Sequence, residues 1–109
     1  MARIDKAWVV VRGTAGTALT GLAGVTINSG GSVVYAGSAN AIGVVCLPGT
    51  IAAGRVVGIL TRGEIIEYGG SAGGVIYAGS TTGSLSATSA GTSTKVGYTV
   101  EGDRLIVQL

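Results

Sequence analysis

The chain contains no histidine and no phenylalanine, and only one proline, one cysteine and one tryptophan in 109 residues. Without histidine there is no Ser-His-Asp or Cys-His arrangement for nucleophilic catalysis. A lone cysteine excludes an intrachain disulfide and a cysteine cluster for zinc. Acids are scarce too, limited to Asp5, Glu64, Glu67, Glu101 and Asp103. Glu64 and Glu67, three apart in an extended segment, point to opposite faces. Glu101 and Asp103 flank a turn, so no carboxylate pair is set up for acid–base work. The glycine-rich "GTAGTALTG" lacks the lysine and following helix of a phosphate loop, and no GxGxxG occurs. No catalytic residue, cofactor, metal or small-molecule substrate is expected, and the composition speaks against an enzyme.

Charge is the next shortage. The net charge is +2, and seven basic residues lie scattered, with only Arg3, Lys6 and Arg12 near one another. Without interleaved aromatics this makes a poor nucleic-acid surface, and no such partner is expected. No charge at all falls between Gly13 and Gly54, or between Tyr68 and Thr94. Those stretches are either hydrated through hydroxyls and backbone or covered by another molecule. None is apolar over the ~20 residues a membrane helix needs. No apolar signal-peptide segment follows Met1 in "MARIDKAWVVVRG". Synthesis in the cytoplasm without secretion is therefore the expectation.

What the chain does have is 21 glycines, many Ser, Thr and Ala, and a core vocabulary of Val, Ile and Leu. Positive mean hydropathy argues against disorder. "KAWVVVRG" (6–13) reads as a strand, and its unalternating apolar run is expected where both faces are covered. Trp8 within it fits either a core position or an interface anchor. "GTAGTALTGLAG" (13–24) reads as an extended connector, so residues 1–20 are expected to form an N-terminal arm or extended strand and 21–109 a single β-domain. "VTIN" and "SVVYAG" flank Asn28-Ser29-Gly30-Gly31 as a hairpin. Cys46 in "VVCLP" reads as a buried thiol, and Pro48-Gly49 as a strand stop. Two strands flank Thr61-Arg62-Gly63, two more flank Ser80-Thr81-Thr82-Gly83, and a final pair is joined at Gly102-Asp103 with Glu101 facing Arg104. The expected fold is all-β, a small antiparallel barrel or sandwich of about eight short strands.

The letters YAGS occur twice, at Tyr35–Ser38 and Tyr77–Ser80, each after a β-branched pair. Each copy is followed by a strand with an internal glycine, "IGVV" at 42–45 and "VGYTV" at 96–100. Two copies are too few for a solenoid. They read as a structural repeat, with Tyr packing and Ala-Gly admitting a close neighbour.

The order of these segments is also informative. "GTALTG", then "GSVVYAGSANAIGVVCLPGTIAAGRVVGILTRGEI", then "GGVIYAGSTTGSLSATSAGTSTKVGYTVEGDRLIVQL" resembles the small capsid cement, or head decoration, proteins of bacteriophages. The likeness spans about residues 13–109 and rests on strands and glycines; "MARIDKAWVVV" has no counterpart in it. The resemblance implies a structural virion protein on the outer capsid surface, bridging major capsid protein subunits as a dimer or trimer. Shell contact is then expected from the first twenty residues, at Arg3, Lys6, Trp8, Arg12, Thr14, Thr17 and Thr20. The alternative is a virion-exposed β-module, a head fibre or tail component, recognising host glycans through Tyr35, Tyr77 or Tyr98.

Overall fold

The computed structural model describes residues 2–36, 41–68, 74–78, 85–86, 94–101 and 103–109. Among them there is no helix, and nine strands form one antiparallel sheet. These are β1 (Arg3–Thr14), β2 (Leu19–Ile27), β3 (Val33–Tyr35), β4 (Gly43–Ile51), β5 (Val56–Ile66), β6 (Val75–Ala78), β7 (Leu85–Ser86), β8 (Thr94–Val100) and β9 (Arg104–Gln108). The antiparallel all-β architecture expected from the sequence is the one the chain forms, with the sheet curled into a half-barrel.

β5 organises the sheet. One of its edges pairs with β1 along its full length, from Arg3↔Ile66 to Thr14↔Val56. The other edge is divided: Leu60 pairs with Val44 of β4, while residues 62–65 pair with 105–108 of β9. Two wings grow from that division, β4-β2-β3 on one side and β9-β8-β6-β7 on the other.

Each wing has its own core, and alternation along β4 and β5 explains how one sheet supplies both. Neighbouring residues of a strand point to opposite faces. Val44 and Leu60 enter a cluster with Ile65, Ile76, Val96, Leu105 and Val107, whereas Val45 and Ile59 enter one with Leu19, Val25, Val33 and Val57. The Val44↔Leu60 crossing is therefore covered on both faces, consistent with the unbroken apolar runs there.

Several local expectations change in the structure. The chain was expected to leave the core as an arm as far as residue 20, but it rejoins the core earlier. Ala15 and Leu19 are fully buried, and β2 begins where a connector was expected. Pro48 does not end β4. It sits where Thr20↔Thr50 and Leu22↔Cys46 shift register, a bulge in which a missing N–H costs no ladder bond. Thr61-Arg62-Gly63 is not a turn either, because β5 runs straight through it. Thr61 falls outside the register, and its hydroxyl donates to the Val9 carbonyl at 3.2 Å. At the last hairpin Val100 pairs with Arg104, so the loop has three residues. Glu101 sits in it at φ 60° and reaches Arg104 across the turn rather than across the ladder. The 28–31 hairpin forms as expected, with Asn28 Oδ1 accepting from the N–H groups of Gly30 and Ser32, both at 3.0 Å.

The two YAGS copies place Tyr35 and Tyr77 half-buried in β3 and β6, and Ala36 and Ala78 in the same core cluster. The glycines that follow them share a role. A side chain at Gly43 would meet the Leu60 carbonyl oxygen, and one at Gly97 would overlap that of Ile106. Each repeat thus ends in a strand pressed against a neighbouring backbone. The Gly-Ser ends of both copies and the 80–83 turn lie outside the described residues.

Candidate protein interface

β1 contributes Ile4, Trp8, Val9, Val10 and Val11 to the exposed large apolar residues of the chain, and none of its twelve residues is buried. The run that the sequence suggests is covered on both faces is exposed on both among the described residues. The strand is nevertheless held firmly at its N-terminal end. Ala2 packs against the core beside Cys46, whose thiol donates to the Ala2 carbonyl at 3.4 Å, and Arg3 forms an ion pair with Glu67. Gly63 lets the β1 backbone approach closely, since any side chain there would overlap the Lys6 carbonyl.

Trp8 owes its position to an irregularity. The ladder runs Ala7↔Gly63 and then Val9↔Arg62, leaving Trp8 as the extra residue of a bulge, 62% exposed. Bulges redirect a side chain out of the regular pleat. Trp8 accordingly lines a groove of about 260 Å³ with Arg62, Tyr98, Ile106, Val107 and Gln108. The register places Lys6, Glu64, Ile106 and Tyr98 in one row on the same face. The groove therefore crosses four strands, with an aromatic ring at either end and a guanidinium between them.

Charge around the groove is one-sided. Glu64, 5% exposed, is engaged by Arg104 at 3.5 Å, and Arg104 also binds Glu101 at 3.0 Å. Hydrogen bonding and charge from Glu101 in the first place, with Glu64 adding, raise the Arg104 guanidinium above its ordinary value. Lys6, Arg12 and Arg62 have no ion-pair partner among the described residues. Set against Asp5, these three account for the entire net charge of +2, because the other four cations and four acids balance.

The residues expected to touch a shell are only partly gathered here. Lys6, Trp8 and Arg12 lie on β1 in the open; Arg3 is there too but is engaged by Glu67. Thr14 closes the strand opposite Val56, and Thr17 is exposed in the bend that follows. Thr20 belongs to β2, its hydroxyl 2.8 Å from that of Thr50 and its N–H donating to the Tyr35 hydroxyl. That bond also gives Tyr35 a structural task. Arg62, Ile106 and Gln108 carried no sequence signal, being brought to Trp8 only by strand pairing. Tyr98, one of the three tyrosines singled out, is the one that lines the groove.

Cys46 behaves as a packing residue. Burial raises its thiol above the ordinary value, which disfavours the reactive thiolate. Alkylation by iodoacetamide at pH 7.5 is expected to be several-fold slower in the folded protein than in urea; equal rates would contradict that placement. Among the described residues no group of three His, Cys, Asp or Glu side chains is arranged to hold a metal, and no helix is long and apolar enough to cross a membrane.

No protein-family model and no curated protein matches the chain. Among solved structures, one from Mycobacterium phage Patience is similar, with a TM-score of 0.84 and 16% sequence identity, covering 98% of this chain and 95% of that one. At that identity the likeness shows a common fold over essentially the whole length of both chains.

Proposed function

We propose that this chain is a structural protein of a phage virion, a cement protein that sits on the outside of the head and bridges neighbouring major capsid subunits. The observation that carries the reading is β1, a long strand whose apolar residues this chain leaves exposed, on a fold shared with a phage protein. Large exposed apolar surfaces on small proteins mark interaction sites. The segment order described above, which resembles cement proteins, supports the same reading.

The mechanism is mass action. A protein that binds the assembled lattice but not dissociated subunits stabilises the lattice by the free energy of its own binding. Contacts to two or more subunits multiply the effect through local concentration. A dimer on a two-fold axis or a trimer on a three-fold axis would match the symmetry of the sites bridged. The chain acts here without catalysis. Purified heads carrying the protein are expected to release their genome at a higher temperature than heads lacking it, as followed by dye binding during a thermal ramp. Identical release temperatures would overturn the proposal.

The Trp8–Tyr98 groove favours one second reading, an exposed virion module that stacks its aromatic rings on host-surface sugars. Saturable binding on a glycan array, lost in Tyr98→Ala, would support that reading.

A further inference from the structure

β1 has a second edge. Within the described residues the strand pairs only with β5, so one row of its backbone donors and acceptors has no ladder partner. At about 3.3 Å per residue, twelve residues present an edge of about 40 Å. Such an edge is a template for another strand, and proteins normally shorten, bury or charge it. Here it is left long and carries its apolar side chains in the open.

The charges say what can pair with it. Lys6 and Arg12 lie on the strand and Arg62 lies in the adjoining groove, all without an ion-pair partner among the described residues, against the single carboxylate of Asp5. A second copy of β1 would bring the same excess of cations to the same edge, and like charges facing each other across a ladder are destabilising. An acidic strand would be attracted. Trp8, on β1 itself, is 62% exposed and can pack against an apolar side chain of a strand added at this edge, while the groove it lines runs inward across β5, β9 and β8.

We infer that the free edge of β1 takes an extended acidic segment of a protein partner as an additional strand. This rests on the cement reading, in which the partner is a major capsid subunit. Backbone pairing supplies affinity, and Trp8 and the cations supply register and selectivity, as in other strand-addition complexes. Trp8 acts as the anchor, while Lys6 and Arg62 steer the acidic segment in.

The test uses the intact chain and shells assembled from the capsid protein without it. Wild type, Trp8→Ala and the double variant K6E/R62E are titrated onto shells, and circular dichroism verifies folding; all three side chains are exposed, so the fold is expected to persist. Loss of the anchor is expected to weaken binding about thirtyfold, and the double charge reversal about tenfold or more, with wild-type binding falling as salt rises. Amide exchange along β1 is expected to slow on the shell. Failure of the wild type to bind shells would overturn the cement reading itself. Wild-type binding matched within twofold by both variants, or β1 amides left unprotected on the shell, would overturn the inference alone. So would a wild type that dimerises in solution through β1 while shells bind all three proteins equally.

Discussion

Gly97→Ala is expected to lower stability by about 3 kcal/mol, a large share of what a small domain has in total. Gly97 lies in β8 between Ile76 of β6 and Val107 of β9, so it has a strand on either side. An added Cβ would overlap the Ile106 carbonyl group and stand 3.2 Å from the Val107 Cα. All of these are backbone atoms, so no side chain can rotate away, and the β8–β9 ladder itself would have to part. The loss corresponds to a fall in Tm of about 12–20 °C for a domain of this size. Gly49→Ala is the control: it also lies within a strand, but nothing stands within 4 Å of the new Cβ. A change there within about 0.5 kcal/mol is expected. Urea denaturation of the pair checks both, and a Gly97→Ala protein within 1 kcal/mol of wild type would refute the close-approach argument.

The strands were legible in the sequence wherever the residues' own chemistry decides the conformation. Asn28 and Gly31 make a turn whatever surrounds them, and β-branched runs such as Val33-Val34 and Ile65-Ile66 read as strand. The errors fall where tertiary pairing overrides local preference. Thr61-Arg62-Gly63 has turn composition, yet β1 on one edge and β9 on the other hold it extended, with Thr61 displaced into a bulge. Pro48 is tolerated within β4 because the bulge opposite Gly21 needs no N–H there. The candidate site was half legible. Trp8 and the cations of β1 stand together in the sequence, whereas Arg62, Tyr98 and Ile106 reach them only through strand pairing.

β1 carries a sequence signal that its own surroundings do not satisfy. An apolar run without alternation is the pattern of a strand covered on both faces. Among the described residues that covering is missing, since Trp8, Val9, Val10 and Val11 are all exposed although the strand pairs with β5 along its length. Burial of an apolar side chain contributes roughly 1.5–3 kcal/mol, so a strand carrying five of them in water holds unused binding energy. The composition of β1 is explained if its environment is completed by a partner.

Leu60→Ala is expected to cost about 3 kcal/mol and to weaken both wings of the sheet together. Leu60 is 1% exposed and packs in the larger core cluster, so truncation leaves a cavity among Val44, Ile65 and Val107. Its position adds a second consequence. Leu60 and Val44 are, among the described residues, the one ladder pair that joins β4 to β5, and β4 carries the β2–β3 wing. Ile59, the next residue, packs in the other cluster, so any shift of the backbone at Leu60 is felt there at once. Ile59→Val, which removes one methylene on that other face, is expected to cost about 1 kcal/mol. If the junction couples the wings, amides of β2 and of β9 will exchange in Leu60→Ala with openings lowered by the same free energy, and denaturation followed by circular dichroism will remain a single transition. Two separated transitions, or a loss confined to β9, would mean that the wings fold independently and that β5 is only a covalent link between them.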